Sequence, residues 1–365
     1  MGQNKTPFHG SDLEKVEAVY GIKKESIISY AANVNPLGIS SKLKETLAGH
    51  LDAITRYPDP DYADLRRVIG TYCGACPDNI ICGSGATELI SLVLTVRRPR
   101  KAVIIGPTYS EYEREIALGG GTSNYYPLRE EEDFRLNTEE FCASLNDSLD
   151  LLVICNPNNP TGTAIGRRDM RRILDACMKN GIFVMVDETY VEFARDVNAV
   201  TAVSLTESYN NLVVLRGTSK FFASPGLRLG YAVTGNHDML KAINHRKNLW
   251  TISSLAEIAG CIMFADDDYI RATRELISRE RDRVIDVLSR IDTIKVYPTE
   301  ANFVLYRILR EDVDAQQLFE YCIRRHMMVR NCASFPFLDD RYVRFCFMEP
   351  EQNDALLEAM KEILL

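Results

Sequence analysis

The strongest constraint on this chain is an alternation running from about residue 80 to 235. Short apolar runs at Ile80–Cys82, Ala102–Ile105, Leu151–Cys155, Ile182–Val186, Leu212–Leu215 and Leu229–Val233 are separated by helix-length amphipathic segments. Runs this short and this apolar suit strands covered on both faces, and the segments between them supply the crossovers that parallel strands need. The pattern predicts a largely parallel α/β sheet. Helices are expected after Ala86, over Tyr109–Leu118, over Arg167–Asn180 and after Asp238. Beyond residue 250 the chain changes character. A long helical stretch, Ile270 to Arg290, leads to strand-like segments at Lys295–Tyr297, Asn302–Arg307 and Tyr342–Phe347, and a helix from Gln352 closes the chain. We expect a large domain over residues 45–250. A smaller α+β domain is expected from residues 1–44 and 251–365.

With 365 residues, 46% of them apolar, the chain has the material for two cores. The net charge of −8 argues against general affinity for nucleic acid or anionic lipid, while leaving room for a small basic pocket. Met1 to Gly10 is polar and lacks the apolar core of a signal peptide, and no apolar run approaches the ~20 residues of a membrane span. The expected location is the cytoplasm. Cys73 and Cys76 form a C-x-x-C pair, open to metal or redox use or to being incidental thiols. No second pair and no histidine spacing completes a four-ligand set, so no metal is expected.

In an open parallel sheet, ligands bind beyond the carboxyl ends of the strands. The first such end is Gly83-Ser84-Gly85-Ala86-Thr87-Glu88, either a plain turn or a phosphate cradle at a helix N-terminus. The next places Tyr109 at the same edge, for packing or for function. Asn156-Pro157-Asn158-Asn159-Pro160-Thr161-Gly162 is a rigid polar loop in which Asn159 is able to donate to a phenolate-like oxygen. Asp187 ends a very apolar strand, where a carboxylate is costly unless it meets a cation or donors; a protonated pyridine nitrogen is one such partner, a helix cap the alternative. Lys220 follows small residues in an apolar setting that favours its neutral, nucleophilic form. Ser219 and Arg228 offer the hydroxyl and guanidinium expected around a phosphate.

Together, the G-S-G-A-T-E, N-P-N-N-P-T-G, D-E-T-Y and T-S-K…P-G-L-R-L-G-Y motifs resemble the fold-type I, class I/II aminotransferase superfamily, in order and spacing over nearly the whole chain. The resemblance implies pyridoxal 5′-phosphate (PLP) held as a Schiff base on Lys220, with Asp187 on its ring nitrogen. It implies Asn159 and Tyr190 on the phenolic oxygen and Tyr109 stacked on the ring. The phosphate would lie against Ser84, Gly85, Ala86, Ser219 and Arg228. Tyr57, in Arg56-Tyr57-Pro58-Asp59-Pro60, resembles the tyrosine that reaches the neighbouring subunit's phosphate, which implies a homodimer with shared active sites. Gly217 departs from the family, which usually carries Ser or Thr there; Thr218 or water is the expected substitute.

Two branches of the superfamily share these motifs, histidinol-phosphate aminotransferases and threonine-phosphate decarboxylases, the latter serving cobalamin synthesis. His9-Gly10, Ala32-Asn33-Val34-Asn35-Pro36-Leu37-Gly38, Pro225 and the stretch from Arg330-Asn331-Cys332-Ala333 to Arg341-Tyr342 are more similar to the decarboxylase branch. That branch implies a phosphorylated amino-acid substrate, with Arg344 on the carboxylate and Arg330, His9 and Asn35 on the phosphate. The resemblance also implies that Asn159 touches the substrate. The alternative activity is transamination with 2-oxoglutarate. A PLP-binding regulator without turnover is the alternative from another class, less in keeping with a chain that begins almost directly with the enzyme-like segment.

Overall fold

The computed structural model describes residues 8–365. Residues 1–7, which carry much of the argument against a leader, lie outside them. The first strand, β1 (Ile28–Ser29), stands apart from the central sheet. That sheet has seven strands: β2 (Ile80–Gly83), β3 (Lys101–Gly106), β4 (Thr122–Pro127), β5 (Leu151–Cys155), β6 (Phe183–Asp187), β7 (Leu212–Gly217) and β8 (Gly230–Val233). Their spatial order is β2-β8-β7-β6-β5-β3-β4. All pairings are parallel except those of β8, which runs antiparallel to β2 and β7.

Six of the strands fall on the apolar runs. β4 does not, because Thr122-Ser123-Asn124-Tyr125-Tyr126-Pro127 has no apolar run; it is a half-exposed edge strand that forms by pairing along the whole length of β3. Inside the sheet, side chains alternate between two cores. Leu152, Ile154, Val184 and Val186 enter one, and Leu151, Val153, Phe183 and Met185 the other. This alternation explains the uninterrupted apolar runs: both faces are covered.

The C-terminal third builds β9 (Ile294–Val296), β10 (Phe303–Ile308), β11 (Met327–Met328), β12 (Arg330–Asn331) and β13 (Tyr342–Cys346). Four of them form an antiparallel sheet in the order β12-β13-β10-β9. β11 instead pairs in parallel with β1, which carries the N-terminal segment beside this sheet. Phe303, Val304 and Leu305 of β10 belong to the same core as Leu152 and Val186, so the two sheets share one apolar interior. A polar tie reinforces it. Glu130, in the turn after β4, accepts hydrogen bonds from Tyr297 (2.7 Å), Tyr342 (2.8 Å) and Arg307 (2.9 Å). Desolvation opposes the charge on Glu130, but those donors outweigh it and hold the carboxyl below its ordinary value.

The strand order reverses between β3 and β5, since β4 lies to one side of β3 and β5 to the other. Such a switch point opens a crevice at the carboxyl ends of its strands. The loops carrying Tyr109 and Asn159 flank it. Among the described residues, no helix is long and apolar enough to cross a membrane.

Candidate active site

The strand-end loops converge on a cavity of about 340 Å³. Lys220, Asp187, Tyr109, Ala86 and Asn159 line it, as do Tyr190, Ser219 and Arg228. His9, Arg330 and Arg344 close it from the N-terminal segment and the C-terminal sheet. Eleven of the fifteen residues expected from the sequence therefore face one space.

Lys220 Nζ donates to the carbonyl of Ala32 at 2.6 Å. Burial, then the nearby charge of Arg344, pushes its pKa down to about 8, so a neutral amine is accessible near neutral pH. Asp187, at the end of β6, is 4% exposed. Its Oδ1 accepts from the Thr189 amide (2.9 Å) and hydroxyl (2.5 Å), and its Oδ2 from the Tyr112 hydroxyl (2.7 Å). Tyr109 meets Tyr112 edge to face, with ring centroids 5.6 Å apart.

The phosphate-cradle reading of Gly83 to Glu88 has a specific geometry. Gly83 of β2, Gly230 of β8 and Gly217 of β7 stand side by side. A Cβ on Gly230 would come within 2.8 Å of the Ala86 amide nitrogen, so only glycine lets the helix Gly85–Arg97 begin so close to the sheet. Gly85 has φ +80°, and a Cβ there would sit 2.6 Å from the Arg228 guanidinium. Arg228 thus overhangs the helix N-terminus, whose first amides have no partner within the helix.

At the opposite end, Arg330 and Arg344 are each 5% exposed. Arg344 donates to Asn159 Oδ1 and to the Ala31 carbonyl (2.8 Å); Arg330 donates to the Phe8 carbonyl and to Ser334 Oγ (2.7 Å). All four acceptors are neutral. Burial, opposed by Cys332 and aided by Arg344, brings Arg330 down to about 10. At the mouth, partial desolvation followed by Arg330 and Arg344 holds the His9 imidazole below its ordinary value. Gly10 beside it admits no side chain: a Cβ would lie 2.2 Å from the Ala31 carbonyl oxygen.

The model of aminotransferase class I and II matches residues 25–360. The chain belongs to that family. The threonine-phosphate decarboxylase of Salmonella typhimurium is 33% identical, over 98% of this chain and 96% of that one. The histidinol-phosphate aminotransferase of Methanocaldococcus jannaschii is 30% identical, over 97% and 94%. Among solved structures, the histidinol-phosphate aminotransferase of Clostridium acetobutylicum superposes with a TM-score of 0.85 at 31% identity, covering 92% of this chain and 98% of that one.

As a class I/II aminotransferase-family protein, this is an enzyme whose cofactor is PLP. The site fits it. Three buried polar atoms of cavity-lining residues have no partner among the described residues: Thr108 Oγ1, Asn33 Oδ1 and Arg344 Nε. Unsatisfied groups of this kind are costly unless a ligand meets them.

Several expectations need correction. Asn35 does not face the cavity: its amide donates to the Phe221 carbonyl (2.8 Å), Tyr269 Oη (2.9 Å) and Thr273 Oγ1 (2.8 Å), and its oxygen accepts from the Leu37 amide. It braces the fold. Asn33 lines the cavity instead and donates to Tyr190 Oη at 3.2 Å. The A-N-V-N motif pointed to the right place and the wrong asparagine, because Asn33 takes a left-handed φ of +56° that turns the chain. The Ser84 amide is occupied by Glu88 Oε2 at 2.6 Å, which leaves Gly85 and Ala86 as the free backbone donors. Thr218 does not substitute for a hydroxyl at 217, since its Oγ1 donates to the Leu229 carbonyl and accepts from Ser224. Tyr57, expected to serve a neighbouring subunit, needs no such correction: it lies outside this chain's cavity, 79% exposed and with its ring 4.4 Å from that of Trp250. Thr108 and Tyr112 were not anticipated; an apolar-run analysis ranks neither above a packing residue.

Proposed function

We propose that this enzyme decarboxylates L-threonine O-3-phosphate to (R)-1-aminopropan-2-yl phosphate, a reaction of cobalamin biosynthesis. The observation that carries the reading is the pair of buried guanidiniums, Arg330 and Arg344, whose hydrogen bonds all go to neutral acceptors. Two buried cations that meet no counter-ion among the described residues suit a ligand with two anionic ends, and arginine forks suit both carboxylate and phosphate. Asp12, the acid that acts on Arg330, is itself engaged by Lys15 (3.0 Å) and by the His9 amide (2.8 Å).

In this reading, Arg344 takes the substrate carboxylate, with Asn159 beside it, and Arg330 with His9 takes the phosphate. Holding both ends fixes the rotation about the substrate's Cα–N bond. PLP, when bound, accepts the electron pair of whichever Cα bond stands perpendicular to its ring. With the carboxylate so placed, CO₂ would be the group lost, and Lys220 Nζ would be the donor that returns a proton to Cα. Asp187 would face the ring nitrogen, Asn159 and Tyr190 the phenolic oxygen, and Tyr109 the ring. Gly85, Ala86, Ser219 and Arg228 would hold the phosphate of the cofactor. Tyr57 extends toward the active site of a second copy in a homodimer. Residues 45–250 act as the large domain, and residues 1–44 and 251–365 as the small one.

The relative from Salmonella typhimurium supports this choice. A second reading, transamination of histidinol phosphate with 2-oxoglutarate, is supported by the relative from Methanocaldococcus jannaschii at nearly the same identity. The deciding experiment offers the PLP-loaded protein each substrate. Release of CO₂ from threonine phosphate without glutamate formation is expected. Glutamate from histidinol phosphate and 2-oxoglutarate, without CO₂, would overturn the proposal in favour of the second reading.

A further inference from the structure

The carboxylate of Asp187 offers about four acceptor positions, and the protein fills three of them. Thr189 takes two on Oδ1 and Tyr112 takes one on Oδ2. One position remains, on Oδ2. Tyr112 belongs to the helix Glu111–Leu118, just past the loop that carries Tyr109, and its ring is buried against Tyr109. Burial first, then Asp187, holds its phenol well above the ordinary value, so its hydroxyl is a donor throughout the working pH range. The hydroxyl therefore decides which lone pair of Oδ2 is left, and in which direction it points.

We propose that Tyr112 is a positioning residue: by donating to Asp187 Oδ2, it aims the one free acceptor of that carboxylate and sets how tightly, and in which protonation state, the ring nitrogen of PLP is held. The proposal rests on the assignment of Asp187 to the ring nitrogen. Its physical basis is that a carboxylate that loses a donor binds a proton more strongly. Without Tyr112's hydroxyl, the proton shared with the ring nitrogen moves toward Asp187, and the carboxylate gains a second open position that orients nothing.

The test is Tyr112→Phe, which removes one oxygen and keeps the ring, with two readouts independent of turnover. PLP affinity of the apoprotein is expected to fall about 10-fold, the loss typical of a hydrogen bond to a charged group. The ¹⁵N chemical shift of bound, ring-labelled PLP is expected to move toward the unprotonated position. A purely structural role would lower the melting temperature and leave that shift in place. Asp187→Asn separates the two ideas. If it weakens PLP strongly while Tyr112→Phe changes neither readout, the role of Tyr112 is overturned. If Asp187→Asn changes nothing either, the ring-nitrogen assignment falls and takes the proposal with it. Should Tyr112→Phe not fold, 3-fluorotyrosine at position 112 keeps the shape and strengthens the donor. Retained affinity and a protonated ring nitrogen are then expected, and weaker binding overturns the proposal.

Discussion

At one end of the cavity a single carboxylate, Asp187, is met by three neutral donors; at the other, two buried guanidiniums meet only neutral acceptors. The first end grows from the central sheet, where strand ends and helix starts fix every group to rigid backbone. The second is assembled from the N-terminal segment and the C-terminal sheet, which meet through the β1–β11 pair. Three hydrogen bonds leave the Asp187 carboxylate one open acceptor position. Two arginines with no counter-ion among the described residues give the far end an uncompensated positive charge. The difference teaches that the lone buried carboxylate and the buried guanidiniums come from separate parts of the chain, joined across a single cavity.

That division can be broken by mutation. Lys220→Ala has the largest expected effect: the visible absorbance of the lysine-bound cofactor disappears and turnover falls below detection. An unchanged spectrum would remove Lys220 from the chemistry. Arg330→Ala comes next. It should weaken phosphorylated substrates about 10- to 100-fold, as expected for lost hydrogen bonds to a charged group, and leave PLP affinity alone. Equal losses for phosphorylated and unphosphorylated substrates would remove Arg330 from the phosphate role. Asn35→Ala sharpens the comparison from outside the cavity. It should cost roughly 1–3 kcal/mol in a denaturant titration by orphaning buried partners, with little change in substrate KM.

A pH series tests the cofactor end directly. Lys220 is depressed to about 8, so its neutral fraction grows as pH rises through that value. The rate at which apoprotein recovers absorbance on mixing with PLP should rise over the same window; a rate that rises only near the pKa of free lysine would contradict the burial argument. The smallest effect is expected from Tyr57→Phe. PLP affinity should fall about 10-fold, the low end for a lost hydrogen bond to a charged group, here a phosphate. The loss should vanish on dilution to monomer if a second copy supplies the contact.

Much of the cofactor end was legible in the sequence. Short apolar runs locate strands covered on both faces, and the residue after each run must lie at the sheet's ligand-binding edge. Lys220, Asp187, Asn159 and Arg228 follow from that placement together with their chemistry. β4 was not legible, because an edge strand needs no apolar run. At the substrate end, Arg330 and Arg344 were found through resemblance. Choosing between Asn33 and Asn35 depended on a backbone turn that composition does not encode. Tyr112 escaped for a different reason: a buried tyrosine on a helix reads as core until its hydroxyl is seen to meet a carboxylate.

One short stretch connects the two ends. The Ala31 carbonyl receives Arg344, the Ala32 carbonyl receives Lys220, and Asn33 donates to Tyr190. Two of these three contacts are made by main chain whose side chains are already alanine. An alanine scan has nothing to replace there, and genetic drift at those positions leaves the carbonyls intact. The junction between the two ends of the cavity is thus written in backbone, where an amide-to-ester exchange would weaken it.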